Sequence, residues 1–106
     1  MLSIKDIQSD PLSFTGEITI NGIVASFAPD DYMIFGVKDT AELLACRNLY
    51  CDAFMLPVRY IGNGGTPEIA DEVNITGSWM ETDEGFIFEV TKIDVRRNIA
   101  HILTGG

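Results

Sequence analysis

The chain has one histidine, two cysteines, one tryptophan and only seven lysines and arginines, set against sixteen aspartates and glutamates. Each shortage closes a class of function. The single His101 lies near the C-terminus, so no serine in the body of the chain has an imidazole to activate it, and an enzyme is not expected. Two cysteines and one histidine fall short of the four-ligand set of structural zinc, so no metal and no cofactor is assigned. A net charge of −9 repels phosphate backbones and anionic headgroups, which makes nucleic acid an unlikely partner and suits a basic or neutral one. Lys92, Arg96 and Arg97 hold three of the seven cations and read as a solvated strand end. No apolar run approaches the roughly 18–20 residues of a membrane-spanning helix, so the chain as given inserts into no membrane.

What is present is an ordinary globular composition, 46% apolar and 22% charged over 106 residues. That length supports one domain, 1–106, with a core large enough to fold without a metal or a disulfide. Met1-Leu2-Ser3-Ile4 offers neither a cationic n-region nor an apolar h-region, which leaves open an export or anchor segment ahead of it.

Glycine-punctuated, β-rich segments dominate the pattern, at 14–27, 33–38, 54–61, 72–80 and 86–95. Ahead of them Ser3 can cap one or two helical turns that Pro11 stops, making residues 1–13 a helical lid. In the first strand Ile18, Ile20, Gly22 and Val24 share a face. Beyond Gly22 the opposite phase, Ile23, Ala25 and Phe27, is apolar too, so the strand is expected to bend at that glycine. Residues 40–53 interrupt the strands, with Asp39 or Thr40 able to cap a helix of about two turns. Pro57 cannot donate to a ladder, which places its strand at an edge or a bulge. Pro67 opens a possible helical turn at 68–71, and 98–106 reads as a mobile tail. The fold class is mainly β: a five-stranded Greek-key OB-fold barrel with a short N-terminal helix and a helical or loop insertion between strands two and three.

The opening residues Ile4-Lys5-Asp6-Ile7, Asp10-Pro11, Phe14-Thr15-Gly16 and Ile20-Asn21-Gly22-Ile23-Val24 resemble the tRNA-anticodon-like OB-fold domains of exported and lipoprotein-like bacterial chains. Leu56-Pro57-Val58-Arg59-Tyr60-Ile61-Gly62, Val73-Asn74-Ile75-Thr76-Gly77 and Gly85-Phe86-Ile87-Phe88 are similar to the periplasmic OB-fold haem chaperone of cytochrome c maturation. The resemblance implies an OB-fold and a periplasmic or membrane-tethered location rather than a cytoplasmic one. The haem chaperone attaches haem through a histidine just after its last strand. Here Lys92-Ile93-Asp94 stands near that place, so no haem residue is carried over.

Cys46 and Cys51 are the sharpest local feature. Five residues apart on a continuous helix they would point away from each other, so a bond between them needs a helix break, which Asn48-Leu49 can supply. A disulfide in an oxidising compartment, two separate buried thiols, or a metal- or haem-handling site with His101 are the alternatives. OB-folds often bind ligands on strands two and three, which makes Tyr32, Phe35, Phe54, Arg59 and Tyr60 the candidate ligand face, with Phe35, Phe54 and Tyr60 on the inward period of the core. Gly62-Asn63-Gly64-Gly65 lacks the Gly-Lys-Ser/Thr of a phosphate loop and reads as a turn. Asp30-Asp31 and Asp83-Glu84 read as hairpin turns. The expected function is a non-enzymatic binding module for a protein or a small molecule; metal or haem handling and single-strand nucleic-acid binding are the alternatives.

Overall fold

A computed structural model describes residues 1–10 and 13–103. The chain is mainly β, with β1 (Leu2–Ser3), α1 (Ile4–Ser9), β2 (Ile18–Ala28), β3 (Asp31–Lys38), α2 (Thr40–Cys46), β4 (Met55–Tyr60), β5 (Asp71–Thr82) and β6 (Gly85–Asn98). The strands form one mixed sheet in the order β1-β2-β3-β4-β6-β5, and β5 pairs again with β2. The five long strands therefore pair in a ring. Its pairs are antiparallel except for β4 with β6, where Val58, Arg59 and Tyr60 face Phe88, Glu89 and Val90. No helix among the described residues is long and apolar enough to cross a membrane.

Capping chemistry sets both helices. Ser3 Oγ accepts the Asp6 N–H at 3.2 Å and Asp6 Oδ2 accepts the Ser3 N–H at 2.9 Å, a reciprocal box that satisfies two donors of the first turn. The Ser3 N–H and hydroxyl hold the Asp6 carboxyl below its usual range. The helix then buries Ile4 and Ile7 against the ring interior. Pro11, expected to stop it, lies outside the described residues; the helix ends at Ser9 with Asp10 as its C-cap. Asp39 caps α2 through Glu42 N–H at 3.1 Å and also accepts the Lys5 N–H of α1 at 3.3 Å, so one carboxylate ties the two helices together.

The ring interior and a second cluster divide the apolar side chains. Ile20, Val24, Phe35, Val37, Leu56, Val58, Ile75 and Phe88 fill the first. Ile23 crosses to the other face of β2 and packs with Leu43, Leu49, Ala70 and Ile99. The face change was expected at Gly22, but Gly22 stays in register opposite Val73 and the break falls between Val24 and Ser26. Gly22 serves packing instead: a Cβ there would stand 3.2 Å from Ile4 Cγ1 and 3.1 Å from the Lys38 carbonyl, crowding α1 off the sheet. The bend belongs to a bulge around Ala25, where β2 passes from β5 and β1 to β3.

Two further expectations change. Residues 68–71 form a turn and not a helical one: Ala70 adopts a left-handed φ of 73° while its N–H donates to Val24 O at 2.9 Å. Asp71 closes that turn, its Oδ2 accepting the Glu68 N–H at 2.8 Å. The stretch read as a mobile tail is docked as far as it is described. Ile99 is fully buried and donates its N–H to Ala70 O at 3.0 Å, and Ile102 and Leu103 pack on the second cluster. Thr104, Gly105 and Gly106 lie outside the described residues.

Candidate functional site

The site begins with a missing hydrogen. Ile61 N–H donates to Val90 O at 2.8 Å, and alternate residues of a strand direct their N–H groups to the same side. Pro57 has that phase, so the strand offers no donor at the next-but-one rung toward β6. The β4–β6 pairing correspondingly begins at Val58 with Phe88 and does not reach back to Pro57. The strand is therefore no edge strand, since β3 and β6 flank it. Its proline marks where the parallel ladder stops.

At that fork lies a cavity of about 600 Å³ lined by Phe14, Thr15, Gly16, Phe54, Leu56, Pro57, Ser78, Trp79 and Phe86. Four of these side chains are aromatic and none is charged. Phe14 precedes β2, Phe54 precedes β4 and Phe86 is the second residue of β6, so three strand beginnings each deliver one ring. Phe86 is 53% exposed and Phe54 41%, which leaves the rim apolar and open to solvent. The wall is anchored through Trp79, which stands edge-on to the buried Phe88 with centroids 5.4 Å apart.

Trp79 Nε1 is buried and has no hydrogen-bond partner among the described residues. An unpaired buried donor costs about 1–3 kcal/mol.

The residues expected to form a ligand face are dispersed. Phe35 and Tyr60 point into the core, and the Tyr60 hydroxyl accepts the Gly64 N–H at 2.9 Å, pinning the Gly62-Asn63-Gly64-Gly65 turn. Tyr32 is 72% exposed at the β2–β3 hairpin and packs edge-on to Phe27. Arg59 faces outward, 3.9 Å from Glu89. Phe54 departs from the inward period because it lies before β4, where the pleat does not yet fix its direction, and it joins the cavity. Asp31 serves the backbone, its Oδ1 accepting the Met33 N–H at 2.9 Å, and at the 82–85 turn Thr82 Oγ1 does so, donating to the Gly85 carbonyl at 2.9 Å.

Trp79 and Phe86 were legible as strand residues but not as cavity residues. The available signal was the aromatic residue near each of three strand beginnings together with Pro57, next to which the β4–β6 ladder stops.

Cys46 and Cys51 stand at disulfide distance, with Cα atoms 6.5 Å apart. The helix break that this needs is present: α2 ends at Cys46, and Arg47 takes a left-handed φ of 60° with its N–H on Leu43 O. Lys38 Nζ then donates to the carbonyls of Leu49 and Cys51, each at 2.9 Å, and holds the loop to β3. Once bonded to each other, the two sulfurs offer no thiolate to a metal. His101 is exposed.

A charged cluster lies elsewhere, around Glu72 of β5. Burial pushes the Glu72 carboxyl up, but hydrogen bonds from Arg97 at 2.7 Å and Asn21 at 3.0 Å, with the charges of Arg97 and Arg96, outweigh it and hold the group below its usual range. No protein-family model and no curated protein matches this chain.

Proposed function

We propose that the chain is a non-enzymatic OB-fold binding module, from an exported or membrane-tethered bacterial protein, whose ligand occupies the cavity between Trp79, Phe86 and Phe54. The cavity carries this reading: about 600 Å³ lies within the range of small-molecule sites, and its lining is aromatic and aliphatic with a few polar atoms. The OB-fold reading is supported by the cyclic pairing β2-β3-β4-β6-β5-β2 with a single parallel contact between long strands, β4 with β6. An oxidising compartment is supported by the cysteine pair at disulfide distance.

Trp79 is the only tryptophan, so its emission reports on the cavity wall alone. Titration with the neutral dye N-phenylnaphthylamine should quench that emission saturably, and Phe86→Asp should weaken the effect. Unchanged Trp79 emission up to the solubility limit of the dye would remove the cavity as the binding site.

A further inference from the structure

We infer that the ligand is an amphiphilic cation, a small molecule whose apolar ring fills the cavity while its ammonium group stays in water at the mouth, beside Glu81. This rests on the reading that the cavity is the binding site, and it adds the chemistry of what enters. Three observations lead to it.

The first is the division between wall and mouth. No charged side chain lines the cavity, so an ion taken inside would lose its water without gaining a counter-charge. The part of the ligand that enters is therefore apolar, and any charge it carries stays outside.

The second is the group that stands there. Glu81 is the register partner of Phe86, and Trp79 pairs with Phe88 one step deeper on the same face of the same two strands. Directly opposed residues have Cβ atoms about 4.5–5.5 Å apart. Glu81 thus lies beside Phe86 of the rim, on the face that Trp79 occupies, and just outside the cavity lining. It is exposed and makes no ion pair among the described residues.

The third is the sign of the surroundings. Glu17 follows Gly16, Asp52 lies two residues before Phe54 and Glu84 two before Phe86, and all three are exposed. The one cation as near in sequence to a lining residue is Arg59, which faces Glu89 at 3.9 Å. A positive head group is drawn to such a mouth, a negative one is repelled, and salt screens both effects.

The test uses one naphthalene ring with three head groups on the same two-carbon arm: naphthylethylammonium, naphthylethanol and naphthylpropionate. Affinities for the full chain are measured by equilibrium dialysis at about 0.01 M and about 1 M salt, between which the Debye length falls from about 30 Å to about 3 Å. At the lower salt the cation is expected to bind about fivefold more tightly than the alcohol, and the anion about fivefold more weakly. At the higher salt the three should agree within about twofold. Glu81→Lys should cut the advantage of cation over anion at low salt by about fivefold or more. Glu68→Lys makes the same change of charge in the turn ahead of β5, at the other end of that strand, and should alter it by less than about twofold.

Equal affinities for the three probes at low salt overturn the inference, and so does a cation preference that Glu68→Lys lowers as much as Glu81→Lys. In either case the cavity remains the site if Phe54→Ala weakens all three. If none of the probes binds at either salt, the cavity reading itself falls and the inference with it. Both charge changes fall on exposed residues outside the core, so the comparison does not turn on folding.

Discussion

Trp79 on β5 and Phe88 on β6 are register partners across the hairpin, with their rings edge-on at 68° and centroids 5.4 Å apart. Phe88 is fully buried in the ring interior, while Trp79 forms the wall of the cavity, so core packing and cavity shape are coupled through this contact. Phe88→Ala should cost about 3–5 kcal/mol, as other large-to-small changes in cores do. Phe88→Leu should be milder and leave the protein folded, with a changed Trp79 emission maximum. Chemical denaturation followed by tryptophan fluorescence checks both. An unchanged midpoint for Phe88→Ala would contradict the packing described.

Asp39 is 4% exposed and accepts backbone N–H groups from both helices. Asp39→Ala leaves the Lys5 and Glu42 donors without their acceptor and should destabilise by about 2 kcal/mol, combining a lost cap with a buried unsatisfied donor. Asp39→Asn keeps one carbonyl oxygen and should lose less. The comparison of the two melting temperatures is the measurement, with alanine expected to fall further.

Glu72 gives the pH dependence a sign. Its folded-state pKa lies below the ordinary value of 4.5, so its contribution is fully present above that value and is lost as pH falls through the lower, folded one. Glu72→Gln should therefore lower stability at neutral pH by about 1 kcal/mol, the worth of a charge-assisted pair whose arginine is half exposed. The difference from wild type should shrink as the pH is taken below 4.5. Melting curves across that window for both proteins decide it; a difference that grows in acid would contradict the assignment.

Reduction of the Cys46–Cys51 pair releases a very short loop and should cost about 2 kcal/mol by chain entropy. Intact mass after alkylation, with and without prior reduction, should show both thiols blocked in the oxidised protein. Lys38→Met should enhance the effect of reduction, because the loop then loses both carbonyl contacts that Lys38 Nζ supplies.

Much of the fold was legible because strand alternation is a local signal. Ile18, Ile20 and Val24, then Val73 and Ile75, each mark one face, and the helix starts at Ser3 and Asp39 follow from side-chain oxygens placed to accept backbone donors. The misplaced bend shows where that signal ends. Gly22 has the composition of a bulge, yet its lack of a Cβ accommodates Ile4 from another element, which no local pattern reveals. Ile99 looked like part of a tail because its binding surface, Ile23 with Leu43 and Ala70, is assembled from distant parts of the chain. The cavity was hidden for the same reason. Phe14, Phe54 and Phe86 stand far apart in sequence, and only the pairing of the strands behind them brings their rings to one place.

The most direct measurement is the indole N–H cross-peak of Trp79 in a proton–nitrogen correlation spectrum, a single resonance because the chain has one tryptophan. On adding N-phenylnaphthylamine this peak should shift, because a ring then packs on the cavity wall that Trp79 forms, and it should saturate with the backbone signals of Gly16 and Ser78, while those of the distant Lys38 and Cys51 stay in place. A stationary indole peak alongside shifts clustered around Lys38 or Arg97 would contradict binding at the fork between β4 and β6.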